Sequence, residues 1–246
     1  MSDLELARIP AGTVTLHDAR RKARRSVDLA SFEIGVYPVT ETQMAEMLGG
    51  GRHSSRPAIE VSWLRAIRFC NAASEWEGLD PAYTYEGEEV TWHVDSDGYR
   101  LPTEAEWEFA CRAGSTGPHY GPLADVAWTA ADHVSAPQPV GARHPNLFGL
   151  FDTLGNVWEW CWDYLDPARY GDYRVFRGGG FADDAWSVRA SVRRGGPPRS
   201  THDDVGFRVA RGGFDADGEA QGWSAAADRR RADVDGPVPF GWTPLR

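Results

Sequence analysis

"GYRLPTEAEWEFACRAG" (98–114) and "NLFGLFDTLGNVWEWCWD" (146–163) decide how this chain is read. In the first, Thr103 precedes a helical run and Glu106 stands three residues on. The Thr103 hydroxyl can then accept from the third helical amide while Glu106 reaches back to the Thr103 amide. The helix so opened turns Ala105, Phe109 and Ala110 to the core, and Gly114 ends it. Glu104, Glu106 and Glu108 resemble acid–base machinery, but a first helical turn favours acids through the helix dipole, so they are read as structural. In the second stretch Trp158 and Trp160 alternate about Glu159 with strand periodicity. Both indoles then share one face and the carboxylate takes the other.

Working outward, "ARIPAGTVTL" and "VDLASFEIGVY" within residues 7–37 alternate as short strands broken by Pro and Gly. Thr40 and Gln43 form another capping box, and Ser62 caps a helix whose Trp63, Ala66, Ile67, Cys70 and Ala73 fall on one face. Short strands are expected around "AYTY" and "EVTWHV", and residues 115–150 read as loop. Further on, "SVRASVRR" (187–194) and "VGFRVARGG" (205–213) alternate with period two and read as strands. Early helices with strands at both ends give an α+β class rather than βαβ repeats. So much loop in a compact domain calls for a specialised fold. Residues 1–212 read as one domain. Residues 213–246, rich in Gly, Asp and Arg, still carry Trp223, Phe240 and Trp242 and read as an extension packing back onto it.

The 246 residues carry 26 basic and 36 acidic side chains, a net charge of −10, which argues against a nucleic-acid phosphate backbone as partner. The small basic runs Arg20–Arg25 and 229–231 read as solvated surface. No apolar run is long enough to span a membrane, and "MSDLELARIPAG" has no apolar leader core, so no membrane partner and a cytoplasmic location are expected. Cys70, Cys111 and Cys161 show no CxxC spacing and read as three free thiols in a reducing compartment. The 11 Trp suggest irregular segments pinned by aromatics, some of them lining a ligand groove. His17, His53, His93, His119, His133, His144 and His202 make no HxH or HxxxH pair, so a local iron or zinc site is unsupported.

Together "IPAG" (9–12), "FEIGVYPVTETQM" (32–44), "PAIEVSWLRAIRFCN" (57–71), the two stretches above, "RGGGF" (177–181) and "VGFRVAR" (205–211) resemble the formylglycine-generating enzyme / sulfatase-modifying factor superfamily. The resemblance runs in the family's order over roughly residues 8–211. It implies a variant of the C-type lectin fold with little regular secondary structure. It also implies a structural Ca²⁺, held by the Asp152 and Glu159 side chains and the carbonyls of Gly155 and Val157, an oxygen set of the kind hard cations favour. From the residues alone, Glu159 could equally pair with a buried Arg, as Arg177 is expected to pair with a buried acid.

The family's formylglycine-generating members carry two cysteines shortly after an Arg-Gly-Gly-Ser segment and use them to bind copper(I). Here those positions are Asp183 and Val188, and the Ser is Gly180. A carboxylate and an isopropyl group cannot replace two soft thiolates, so no copper is expected at this pair. The resemblance therefore points to a cysteine-independent enzyme, an oxidoreductase or acid/base catalyst for a small-molecule or peptide substrate, namely a peptide-like or amino-acid-derived natural-product intermediate. Asp183, Asp184 and His202 are the acid/base candidates. Trp158 and Trp186 are expected to line the cleft, with Arg189 or Arg193 as anion anchor. The alternative is a non-catalytic ligand- or protein-binding module; a metal oxidase built from scattered His ranks last.

Overall fold

The computed structural model describes residues 3–18, 22–87, 89–213 and 220–232. The chain opens with strands β1 (Leu6–Ile9), β2 (Gly12–Asp18), β3 (Ala23–Leu29) and β4 (Phe32–Gly35). Helices α1 (Glu41–Leu48) and α2 (Trp63–Glu77) follow, then the hairpin β5 (Tyr83–Glu86) and β6 (Glu89–Trp92). Next come α3 (Glu104–Arg112), the single turn α4 (Leu123–Val126), β7 (Trp158–Tyr164) and the single turn α5 (Pro167–Tyr170). The last elements are β8 (Arg174–Arg177), β9 (Arg193–Gly196), β10 (Val205–Phe207), β11 (Ala210–Gly212) and α6 (Ala225–Ala232). This is the expected α+β class, with long irregular stretches on either side of α4.

The predicted caps are present. Thr40 accepts from the Gln43 amide and Thr103 from the Glu106 amide, each with the reciprocal side-chain bond. Ser62 accepts from the Arg65 amide and so opens α2. Its Trp63, Ala66, Ile67, Cys70 and Ala73 are all buried. α3 ends one residue earlier than expected, because Ala113 itself takes the left-handed position at φ 43°. Phe109 is half-buried rather than a core residue: it packs on Phe148 and lies under Gly12, where an added Cβ would stand 2.5 Å from its ring.

At the centre is a four-stranded sheet in the order β10–β7–β8–β9, with β10 parallel to β7 and the other pairs antiparallel. A second sheet, β1–β4–β11, and the hairpins β2–β3 and β5–β6 surround it. As the alternation predicts, Trp158 and Trp160 lie on one face of β7 against Phe176, while Glu159 meets Trp107 of α3 on the other. α2 covers the indole face, where the Trp63 ring nitrogen donates to the Cys161 carbonyl at 2.9 Å.

The three acids of α3 do more than complement the helix dipole. Glu106 forms a bidentate pair with Arg100, Glu104 with Arg193, and Glu108 pairs with Arg177 and Arg112. Arg177 also reaches Glu104 at 3.4 Å. Arg208, fully buried, forms a bidentate pair with Glu159. Charges this deep persist only when paired and hydrogen-bonded.

Two strand expectations need correction. Of residues 187–194 only Arg193 and Arg194 are extended. Ser187, Val188 and Ala190 are all buried, and the amides of Ala190 and Val192 bond to the carbonyls of Pro118 and Arg189 instead of a ladder. Residues 205–213 split into β10, which joins the β7 sheet, and β11, which joins β4. The break falls at Arg208, whose side chain turns inward to Glu159.

Residues 220–232 pack onto the body. Gln221 bonds both backbone groups of Ala30 and accepts from Thr103, while Trp223 sits against Trp92 and Trp162 at 5.2 and 5.3 Å. Phe240 and Trp242 lie outside the described residues. Of the two basic runs, Arg25 donates to the Gly222 carbonyl and Arg231 to that of Tyr164, so neither run is wholly solvated. No helix among the described residues is long and apolar enough to cross a membrane.

Candidate functional site

The site grows from the end of β8. Gly178 and Gly179 take φ values of 101° and 85°, and a Cβ on Gly179 would come within 2.7 Å of Val188. Only glycine accommodates both the turn and the close approach. The Gly178 carbonyl accepts from Gly155 and the Phe181 amide donates to Asn156, which ties this segment to the chain entering β7. The turn then delivers Asp183. Its Oδ2 accepts from the Trp158 ring nitrogen at 2.7 Å and the Gly180 amide at 2.9 Å, and its Oδ1 lies 3.2 Å from Arg194. Arg194 in turn rests over the Trp158 ring, 4.8 Å from its centroid.

Across Gly180 stands a second carboxylate, Asp204. A Cβ on Gly180 would lie 3.1 Å from Asp204 Oδ2 and 3.3 Å from Trp158 Cδ1. Burial, followed by the charges of Asp183 and Asp203, pushes the Asp204 carboxyl up, while His202 opposes the shift. Asp204 lies in the same charged run as His202 but is not among the acid/base candidates, Asp183, Asp184 and His202. Its signal is register: parallel pairing sets Val205 beside Trp158, and the Asp204 carbonyl accepts from the Trp158 amide at 2.8 Å.

The other expected residues fall differently. Trp158 is buried, and it is the edge of its ring, through Nε1, that reaches Asp183. Asp184 is exposed on the turn. Trp186 is 62% exposed. Arg189 donates to the Trp186 carbonyl. Arg193 is held by both oxygens of Glu104 and by the Leu165 carbonyl, so it is a structural cation and not an open anion anchor. His202 contacts Ser200 Oγ at 3.1 Å and packs against Phe176 and Trp160. Val188 is fully buried in an apolar cluster with Trp107, Cys111 and Cys161.

All three cysteines are free and buried. Burial pushes the thiols of Cys70 and Cys161 well up and that of Cys111 up to about 12. Among the described residues no three or more His, Cys, Asp or Glu side chains gather as a metal cluster.

The four-residue cation set fits in part. Asp152, at φ 55°, is buried, and its oxygens accept from the Gly141 amide and from Asn156. Among the described residues it has no ion-pair partner, and burial pushes its carboxyl up to about 6. Such an anion, beside the backbone of Gly155 and Val157, is what a hard cation relieves. Glu159, by contrast, already holds Arg208 at 2.6 Å on each oxygen and accepts from Trp107 at 2.7 Å. The pairing with a buried Arg, left open by the sequence, is what the structure contains.

Residues 3–212 match the family model described as a sulfatase-modifying factor enzyme 1-like domain. The chain is 30% identical over 230 residues to "Chaperone protein LppX" of Paenibacillus barcinonensis, covering 76% of this chain and 82% of that protein. It is 36% identical over 146 residues to the formylglycine-generating enzyme of Streptomyces coelicolor, 46% of each. Thus it spans less than half the length of that enzyme. The structure of Treponema denticola variable protein 1 superposes with a TM-score of 0.76 at 27% identity, over 84% of this chain and 94% of that one. With its paired short sheets, capped helices and long loops on a C-type-lectin-like fold, this chain belongs to the FGE-sulfatase family, that of the sulfatase-modifying factor enzyme 1-like domain.

Proposed function

We propose that this protein is a cysteine-independent enzyme of its family, with Asp183 and Asp204 as an acid–base pair acting on a peptide-like or amino-acid-derived substrate. The observation that carries the reading is the placement of two carboxylates on either side of Gly180 in unlike environments. Asp183 receives two N–H bonds and a guanidinium, donors that serve a carboxylate anion. Asp204 is half-buried beside that anion, and burial and the Asp183 charge raise its carboxyl above the ordinary range. Two carboxyl groups with unlike hydrogen-bond surroundings are suited to divide into base and acid. Asp183 would accept a proton from substrate at Oδ1 or Oδ2, and Asp204 would return one. His202 opposes the rise of the Asp204 carboxyl and is given no proton-transfer step.

Where Ca²⁺ is bound, Asp152 and the carbonyls of Gly155 and Val157 would hold it, while Glu159 stays with Arg208. The ion would supply charge neutralisation to the loop entering β7 and take no part in proton transfer.

A second reading is kept by one observation, the likeness to a protein named as a chaperone over most of its length. On that reading the cleft binds and does not react. The experiment is to incubate the purified protein with amino-acid-derived and peptide candidates and follow conversion by mass spectrometry, with Asp183→Asn and Asp204→Asn alongside. Loss of conversion in both variants, with unchanged thermal unfolding, supports the acid–base pair. Conversion that survives Asp183→Asn would overturn it, and ligand binding without any conversion would favour the second reading.

A further inference from the structure

A groove of about 530 Å³ lies beside the Asp183 turn, between α5 and the segment from Trp186 to Arg194. Trp186 and Tyr170 supply aromatic walls, and Leu165 and Val192 add aliphatic surface. A single exposed Trp needs no explanation by itself. Here, however, the 62%-exposed indole shares the groove with Arg189 and Arg194. Arg194 is engaged by Asp183 and Ser187, which links the groove to the carboxylate pair. Arg189 is fixed through Nε to the Trp186 carbonyl, and among the described residues no carboxylate lies within ion-pairing distance of its guanidinium. Asp18 and Asp166 also line the groove, and each has an interaction of its own.

An open indole face and an unspent guanidinium, tied together by the Nε bond, form a paired recognition element. The ring face takes a planar aromatic group through stacking and edge contacts. The guanidinium takes a carboxylate in bidentate fashion. We infer that this groove binds an aromatic acid, the ring on Trp186 and the carboxylate on Arg189. This rests on the reading of the neighbouring carboxylate pair as the working centre, since Arg194 lines the groove and pairs with Asp183. It names the substrate class as aromatic and anionic, within the amino-acid-derived group.

The test uses N-acetyl-L-tyrosine as probe, with its amide and N-acetyl-L-aspartate as the uncharged and ring-free controls, measured by calorimetry on the full chain. Binding of N-acetyl-L-tyrosine is expected to be at least tenfold tighter than that of either control. Trp186→Ala and Arg189→Met should each weaken it about tenfold. Both side chains are surface groups, and unchanged thermal unfolding of each variant confirms an intact fold. Equal binding of the three probes, no binding of N-acetyl-L-tyrosine, or variants that bind as tightly as the parent would each overturn the inference. Asp183→Asn separates the two proposals: it should retain probe binding while abolishing turnover. If binding follows these expectations but conversion survives Asp183→Asn, the groove stands and the acid–base pair falls.

Discussion

Replacing Arg208 by Met should cost more stability than any surface change, and the structure says why. Arg208 is fully buried. Its Nε and one terminal nitrogen each bond Glu159 at 2.6 Å, and its terminal nitrogens also serve the carbonyls of Gly35, Val36 and Phe151. Met roughly fills the volume but satisfies none of these acceptors. Glu159, itself fully buried, keeps only the Trp107 N–H. Leaving one partner of a buried ion pair charged and alone costs about 3–5 kcal/mol. For a chain of this size each kcal/mol moves Tm by about 2–4 °C, which gives a fall of roughly 6–20 °C. Urea unfolding at neutral pH with calcium chelated is the assay, provided one cooperative transition is seen. The double variant Arg208→Met/Glu159→Met carries no stranded charge, so it should be much less destabilised than the sum of its singles. Single variants that cost under about 1 kcal/mol, or a strictly additive double, would refute the claim that this pair holds β7 to β10 and the segment after β4.

The remaining predictions concern protons, calcium and thiols. Burial raises the carboxyls of both Asp152 and Asp163 to about 6, from 3.8 when unfolded, so between those pH values the folded state binds more protons. Their contribution is therefore fully present below the lower value and is lost as pH rises through about 6. Calcium-free protein should gain Tm as pH falls from 7.5 to 5.5, and Asp152→Asn should flatten part of that rise. Excess Ca²⁺ at pH 7.5 should raise Tm in the parent but not in Asp152→Ala; a parent that ignores Ca²⁺ removes the ion from Asp152. Ellman's reagent should find none of the three buried cysteines in native protein and all three in urea, since burial holds each as an inert thiol. Rapid native labelling would show that the interior around β7 opens.

Capping boxes, the indole face of β7 and the glycine turn were legible because each is a local rule acting over three or four residues. Thr103 with Glu106 needs no partner elsewhere, and alternation alone orients Trp158 and Trp160. What spacing could not show is the set of long-range ion pairs. Arg193 reads as an anion anchor of the cleft until β9 is seen to bring it onto Glu104, 89 residues away. Residues 187–194 alternate like a strand in sequence, yet the Ala190 and Val192 amides are claimed by loop carbonyls that no period announces. Asp204 was hidden for the same reason. Its neighbourhood is made by parallel pairing of β10 with β7, which joins segments 47 residues apart (Trp158 with Val205).

The resemblance sets Asp183 and Val188 at the two cysteine positions of the family's formylglycine-generating members, and in this structure the two sit in opposite surroundings. Val188 is core, fully buried beside Trp107, Cys111 and Cys161, an apolar place that suits an isopropyl group and not a charged thiolate. Asp183 has stayed polar at the edge of the site. The frame supplies its donors: the Trp158 ring nitrogen needs an acceptor when its ring is buried, and the Gly180 amide points the same way. A residue drifting without a task could satisfy one N–H with an amide or a hydroxyl. A carboxylate facing a second carboxylate across Gly180 is a more costly choice, because each anion opposes the other in a partly desolvated place. That cost is the physical argument for a working pair, and it makes a definite demand. Asp204→Asn removes the opposing charge, so it should leave the fold as stable as before or more so, while costing turnover if the pair is catalytic. An Asp204→Asn protein that is less stable, with turnover intact, would mean that Asp204 holds the structure and that Asp183 acts without it.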